Sequence, residues 1–236
     1  MRFLLLLMIA SLATGAKAED PMAGMDMGMG AMKAEMGDQI YAHALLDQFE
    51  GRFGGRDAQF RWDGQGWIGG DFDKLRVKSE GFVGGNGRVS DGDHELLYDR
   101  AVSTYFDLQA GLRSDLDSHI SRNWAAFGVQ GLAPFFFELE ATGYVSDSGR
   151  LAGKLRTSYD LLLTQRLILQ PEIELKLYSK PDPAREIGSG LSDIDAGLRL
   201  RYELARKVAP YLGVTYAEQT GRSADFRLVA GIRSWF

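Results

Sequence analysis

The 236-residue chain contains no cysteine, which excludes disulfides and thiolate metal sites. Histidine is nearly as scarce. His43, His94 and His119 are the only three, and no His/Asp/Glu spacing resembles a fixed zinc or two-metal site. Methionine is absent from residue 37 onward. Long apolar runs are missing too: past the first 13 residues nothing approaches the ~20 residues of a spanning helix. Basic residues number 27 against 32 acidic. That balance argues against a nucleic-acid partner, which calls for a basic patch.

What is present begins with Arg2, the apolar block Phe3–Ala10 and the small-residue step Ala16-Lys17-Ala18. Together they make residues 1–18 a secretory signal peptide, too short for a membrane anchor. Arg2 and Lys17 leave with it, so the mature chain is more acidic still. What remains is ample for one domain and too little for two large ones with linkers.

Residues 19–39 form a small, Met/Gly/Ala-rich, acidic arm, read as disordered. Met22, Met25, Met27, Met29, Met32 and Met36 all lie in it. Methionine used for packing is scattered through a core, because its flexible thioether fills gaps. A cluster of thioethers outside any core points instead to the sulfurs, and soft thioethers favour Cu(I). Asp26 and Glu35 add hard oxygen donors if the ion is Cu(II). The alternative is a linker whose methionines are inert or act only as oxidation targets.

From about Ala42 the texture changes to segments of roughly ten residues with period-two alternation, separated by Gly, Asp, Ser and Pro clusters. Phe226, Leu228, Ala230, Ile232, Ser234 and Phe236 share one face, opposite Arg227, Gly231 and Arg233. This dyad pattern with a final aromatic resembles the terminal strand of bacterial outer-membrane barrels. Ile194, Ala196, Leu198 and Leu200 oppose Asp193, Asp195, Arg199 and Arg201, and Leu169, Ile173, Leu175 and Leu177 oppose Gln170, Glu172, Glu174 and Lys176. The same holds around Leu155, Leu139, Leu108 and Val77. A soluble sandwich also alternates, but its polar face is solvated. Here that face mixes both charge signs within single strands, which suits a narrow lumen.

The sequence therefore predicts an all-β fold: an antiparallel transmembrane β-barrel over residues 40–236, of about twelve strands or alternatively ten. Short connections near 69–71, 103–104, 131–134, 163–165 and 205–207 alternate with longer ones at 84–94, 114–122, 146–150, 179–190 and 217–224. Outer-membrane barrels show this asymmetry, with short periplasmic turns and longer extracellular loops. Tyr159, Tyr178, Tyr202, Tyr211 and Trp235 fall near segment ends, where an interfacial girdle would sit.

Four stretches resemble the copper resistance protein B family of Gram-negative bacteria (CopB or PcoB). They are Asp107-Leu108-Gln109-Ala110-Gly111-Leu112-Arg113, Gly128-Val129-Gln130-Gly131-Leu132-Ala133-Pro134, the long run from Tyr159 to Pro171, and Gly197-Leu198-Arg199-Leu200-Arg201-Tyr202-Glu203. The resemblance runs from about Leu45 to Phe236. It implies a copper-binding, non-enzymatic protein of the cell outer membrane that contributes to copper resistance. Periplasmic partners such as a multicopper oxidase or copper carrier are implied too. Family arms are often long and repeat Met-Asp-His units; this arm is short, with Met25-Asp26-Met27 and no Met-Asp-His.

The candidate metal ligands are thus the six arm methionines and His43, which sits where the arm meets the barrel. The expected role is to sequester or pass copper, Cu(I) first, at the periplasmic face. His94 and His119 fall in predicted outer loops as solvated residues. A general small porin or structural barrel is the alternative function. A lipid hydrolase using His119 and Ser121, two residues apart on one strand face, is a remote one. Glu138, Glu140, Asp160, Glu172 and Glu174 either line a cation path or pair with Arg113, Arg156, Arg166, Arg199 and Arg201 as a plug. Charge pairing in a narrow interior favours the plug.

Overall fold

The computed structural model describes residues 39–54, 57–117, 120–185, 187–205, 207–220 and 224–236. The signal peptide, the arm methionines and His119 lie outside them. The strands are β1 (Tyr41–Phe53), β2 (Gln59–Gly69), β3 (Asp73–Gly84), β4 (Val89–Ala101), β5 (Phe106–Asp115), β6 (Arg122–Ala133) and β7 (Phe137–Ser146). They continue as β8 (Leu151–Ser158), β9 (Leu161–Leu162), β10 (Leu167–Tyr178), β11 (Gly190–Tyr202), β12 (Val208–Gln219) and β13 (Asp225–Trp235). Every pairing is antiparallel between neighbours in the chain, and β13 closes on β1 through Leu45↔Trp235 and Phe53↔Leu228.

β8 and β9 are one strand with a gap. Both pair with β10 in a single continuous register, Ser158 opposite Glu172 and Leu162 opposite Ile168. That register sets Tyr159 against Pro171. The Tyr159 N–H donates to the Pro171 carbonyl at 3.1 Å, but proline has no N–H to return and the ladder breaks there. Twelve strand positions close the barrel.

Alternation places the apolar residues outside and the charged ones inside. Leu108, Leu112, Phe127, Leu155, Ile173, Leu198, Leu212 and Leu228 face outward and are exposed, while Arg52, Arg61, Arg113, Glu174 and Arg199 are buried. Such an inverted pattern is stable only where hydrocarbon surrounds the wall. Among the described residues one small apolar cluster lies in the interior, Leu97, Trp124, Ala126 and Tyr144, with Ala152 and Tyr178 packed against it.

Two local devices shape the wall. In β1 the register shifts between Leu46, opposite Gly64, and Gln48, opposite Asp63, so Asp47 is an extra residue. This β-bulge lets Asp47 and Gln48 both reach lumen partners. In β13, a Cβ at Gly231 would stand 2.6 Å from the Tyr211 hydroxyl and 2.7 Å from the Glu50 Cβ. Only glycine leaves room for the tyrosine to enter the lumen.

Several expectations change. His94 lies in β4, not in a loop, because the connection predicted at 84–94 spans only 85–88. Tyr178 and Tyr211 point inward rather than into a girdle: Tyr178 joins the interior cluster, and Tyr211 is 5% exposed. Each shares strand parity with inward residues, Lys176 for Tyr178 and Thr215 for Tyr211. Arg166 is exposed in the 163–166 connection and lies outside the lumen network.

Candidate functional site: a filled lumen and a histidine at its mouth

The lumen is occupied by its own side chains. Arg199 donates to Glu50 (2.9 and 3.0 Å), to Gln48 (3.1 Å) and to Glu172 (3.3 Å). Arg52 pairs with Glu50 (2.8 Å) and Asp195 (2.5 Å), and Arg61 with Glu174 (2.9 Å). Arg156 joins Asp63, Asp47 (3.0 Å) and Glu172 (3.1 Å). Lys154 reaches Glu80 at 2.6 Å, and Lys176 lies between Asp93 (3.2 Å), Glu174 (3.6 Å) and Glu80 (3.7 Å). Each cation meets at least one carboxylate on a different strand, as burial of charge demands. Among the described residues, a void of about 20 Å³ lies between Asp63, Glu80, Glu95, Glu140, Lys154 and Arg156. That is room for one water.

Of the expected plug residues, Glu140, Asp160, Glu172, Glu174, Arg113, Arg156, Arg199 and Arg201 do pair inside. Glu138 is exposed near the rim, accepting from Ser158 at 3.2 Å. Glu50, Arg52, Asp93 and Glu95 escaped notice because a bulge or a short connection hid their strands' alternation. The signal was the mixture of acids and bases in 42–53 and around the predicted 84–94 connection, within which Asp93 falls.

At the end opposite the chain termini, the 179–189 connection folds over the opening. A 3₁₀ turn at Pro183–Arg185 carries Arg185 inward. Its guanidinium donates to Asp117 (2.6 Å) and to the Ile120 carbonyl (2.8 Å), 3.6 Å from Asp115. Asp182 fastens the same segment to Arg122 (3.1 Å) and Arg150. Burial alone would raise the Asp182 carboxyl, but the hydrogen bond and charge of Arg122, with Arg150, hold it below the usual carboxylate range.

At the terminus end, β1 carries His43 opposite Trp67 of β2. The two rings stack at 6.0 Å and 20°. Lys74 sits over the Trp67 ring at 5.4 Å and pairs with Asp107 at 3.0 Å. His43 thus offers one imidazole at the mouth, next to a fixed cation. Among the described residues, no group of three or more His, Asp or Glu side chains is placed to hold a metal. His43 is thus not part of any such group. Ser121 is exposed just before β6, and its proposed partner His119 lies outside the described residues.

The family model of the copper resistance protein B precursor (CopB) matches residues 40–236. A copper resistance protein B homolog from Pseudomonas syringae pv. tomato is 42% identical over 208 residues, covering 84% of this chain and 70% of that protein. Copper resistance protein B of Escherichia coli is 43% identical over 203 residues, covering 81% and 68%. Neither name denotes an enzyme. Among solved structures, the NanC porin aligns with TM-score 0.53 at 9% identity, over 82% of this chain and 99% of that one. The KdgM porin in complex with disordered oligogalacturonate aligns with TM-score 0.51 at 12% identity, over 83% and 99%. Identities this low establish the barrel fold alone. The match across the whole barrel and the two relatives make this chain a member of the copper resistance protein B family, an outer-membrane barrel with a role in copper resistance.

Proposed function

We propose that the protein binds copper through Met22, Met25, Met27, Met29, Met32 and Met36, with His43 as the ligand on the barrel, and holds or passes it at the periplasmic face. The barrel is then an anchor rather than a conduit. The observation that carries this reading is the placement of His43 at the mouth of a filled lumen, seven residues after the last thioether. Chain contour limits that separation to ~25 Å. Neutral sulfur ligands suit Cu(I) and keep exchange with a periplasmic copper carrier or oxidase easy.

The small-porin alternative is disfavoured by the ion pairs that cross the lumen. Cu(I) titration against a competing chromophoric chelator tests the reading. The full mature chain should take up copper, and a form lacking residues 19–39 should lose most of that capacity. Equal uptake by both would sink the arm, and unchanged copper tolerance in cells lacking the protein would sink the role.

A further inference from the structure

Two rows of outward-facing residues run in register round one side of the barrel. The row nearer the loops is polar: Ser79 pairs with His94, His94 with Ser114, and Ser114 with Asn123. The row one step toward the termini is wholly apolar: Val77, Leu96, Leu112, Ala125 and Val145. The small Ala125 lies between Leu112 and Val145, and a groove of about 780 Å³ crosses both rows. Trp62 Nε1 donates to Ser79 at 3.1 Å, and Ser114 donates to Asn123 Oδ1 at 2.9 Å. Neither the His94 ring nitrogens nor the Asn123 amide nitrogen makes a hydrogen bond among the described residues, although His94 feels the charge of Asp115.

Unpartnered donors on a wall that faces lipid are costly unless the lipid supplies acceptors. The polar row carries no lysine or arginine, so it does not select a phosphate. It matches the ester or amide linkage of an acyl chain, with the chain itself lying along the apolar row. The Ser114 hydroxyl is turned to Asn123 and not to His94, so the row lacks an activated nucleophile. We propose that this groove is a binding site for one acyl chain and its linkage from an outer-leaflet glycolipid of the lipid A type. The choice of leaflet rests on the orientation proposed above, with the longer connections facing outward.

The test is native mass spectrometry of the full protein extracted from outer membranes in mild detergent. Wild type should retain one lipid A-type molecule per barrel. Ala125→Phe, which fills the groove, should lower occupancy at least tenfold, and His94→Leu with Asn123→Leu should lower it several-fold. Ala230→Phe, in β13 outside the groove, should leave it unchanged. Heat-modified gel mobility reports folding, and Ala125→Leu takes the place of any Phe variant that fails it. Wild type without bound lipid, or a groove-filled variant retaining it fully, overturns the site. A retained phospholipid overturns the leaflet. Copper uptake by the arm should be identical in all variants, so failure here is distinct from failure of the copper reading.

Discussion

Arg199 grips Glu50 with two parallel donors, Nε to Oε2 at 2.9 Å and Nη2 to Oε1 at 3.0 Å, although β12 and β13 separate their strands. The contact spans the interior rather than following the sheet. It ties one arc of the wall to another, as backbone pairing between neighbours does not.

Arg199→Met should therefore be strongly destabilising, by about 3–5 kcal/mol, because buried Glu50 and Glu172 lose a shared cation. Adding Glu50→Gln should recover part of the loss. Urea unfolding in lipid vesicles, followed by tryptophan fluorescence, measures both. Unchanged midpoints would mean that the lumen pairs contribute little.

Conductance should be absent from the wild-type barrel in a planar bilayer, since ion pairs such as Arg61–Glu174, Lys154–Glu80, Arg156–Asp47 and Arg199–Glu50 cross the interior. Replacing Lys154, Arg156 and Lys176 together with alanine removes three of the cations that span the interior. Discrete current steps are expected from that variant. Steady steps from wild type would show that the plug opens unaided.

Copper addition should quench part of the tryptophan emission through Trp67, which stacks on His43. His43→Gln should reduce that quenching while leaving the arm's copper capacity largely intact. Equal quenching in both proteins would remove His43 from the ligand set.

The loop clamp should tolerate acid. The folded Asp182 carboxyl lies below its ordinary value of roughly 3.9. Its contribution is therefore fully present above that value and fades as pH falls through the lower folded one. Limited proteolysis of the 179–189 segment should stay slow down to about pH 4 and quicken below it. In Asp182→Asn, cleavage should be faster above about pH 4, and the difference from wild type should vanish in stronger acid. A change centred near neutrality would point to another group.

The strands easiest to recognise from sequence were those with strict alternation and charges on one face, β5, β7, β10, β11 and β13. β1 hides its pattern because the bulge at Asp47 switches parity midway. β4 hides it because Leu97 occupies an inner position while His94 stands on the outer one. Inward tyrosines were misread for a related reason. Residue type suggested an interface, whereas parity and the space at Gly231 decided for Tyr211. The role of Arg185 was not legible, because its partners come from a connection remote in sequence.

The charged interior also limits how the wall can be built. An open sheet lying in hydrocarbon would present Arg52, Arg61, Arg113 and Arg199 to lipid, at roughly 2–4 kcal/mol each near mid-depth. A few such exposures exceed the stability of an ordinary domain. The inner face must therefore be kept from lipid until β1 joins β13: the cylinder arrives closed, or its inner face is shielded until the seam is made.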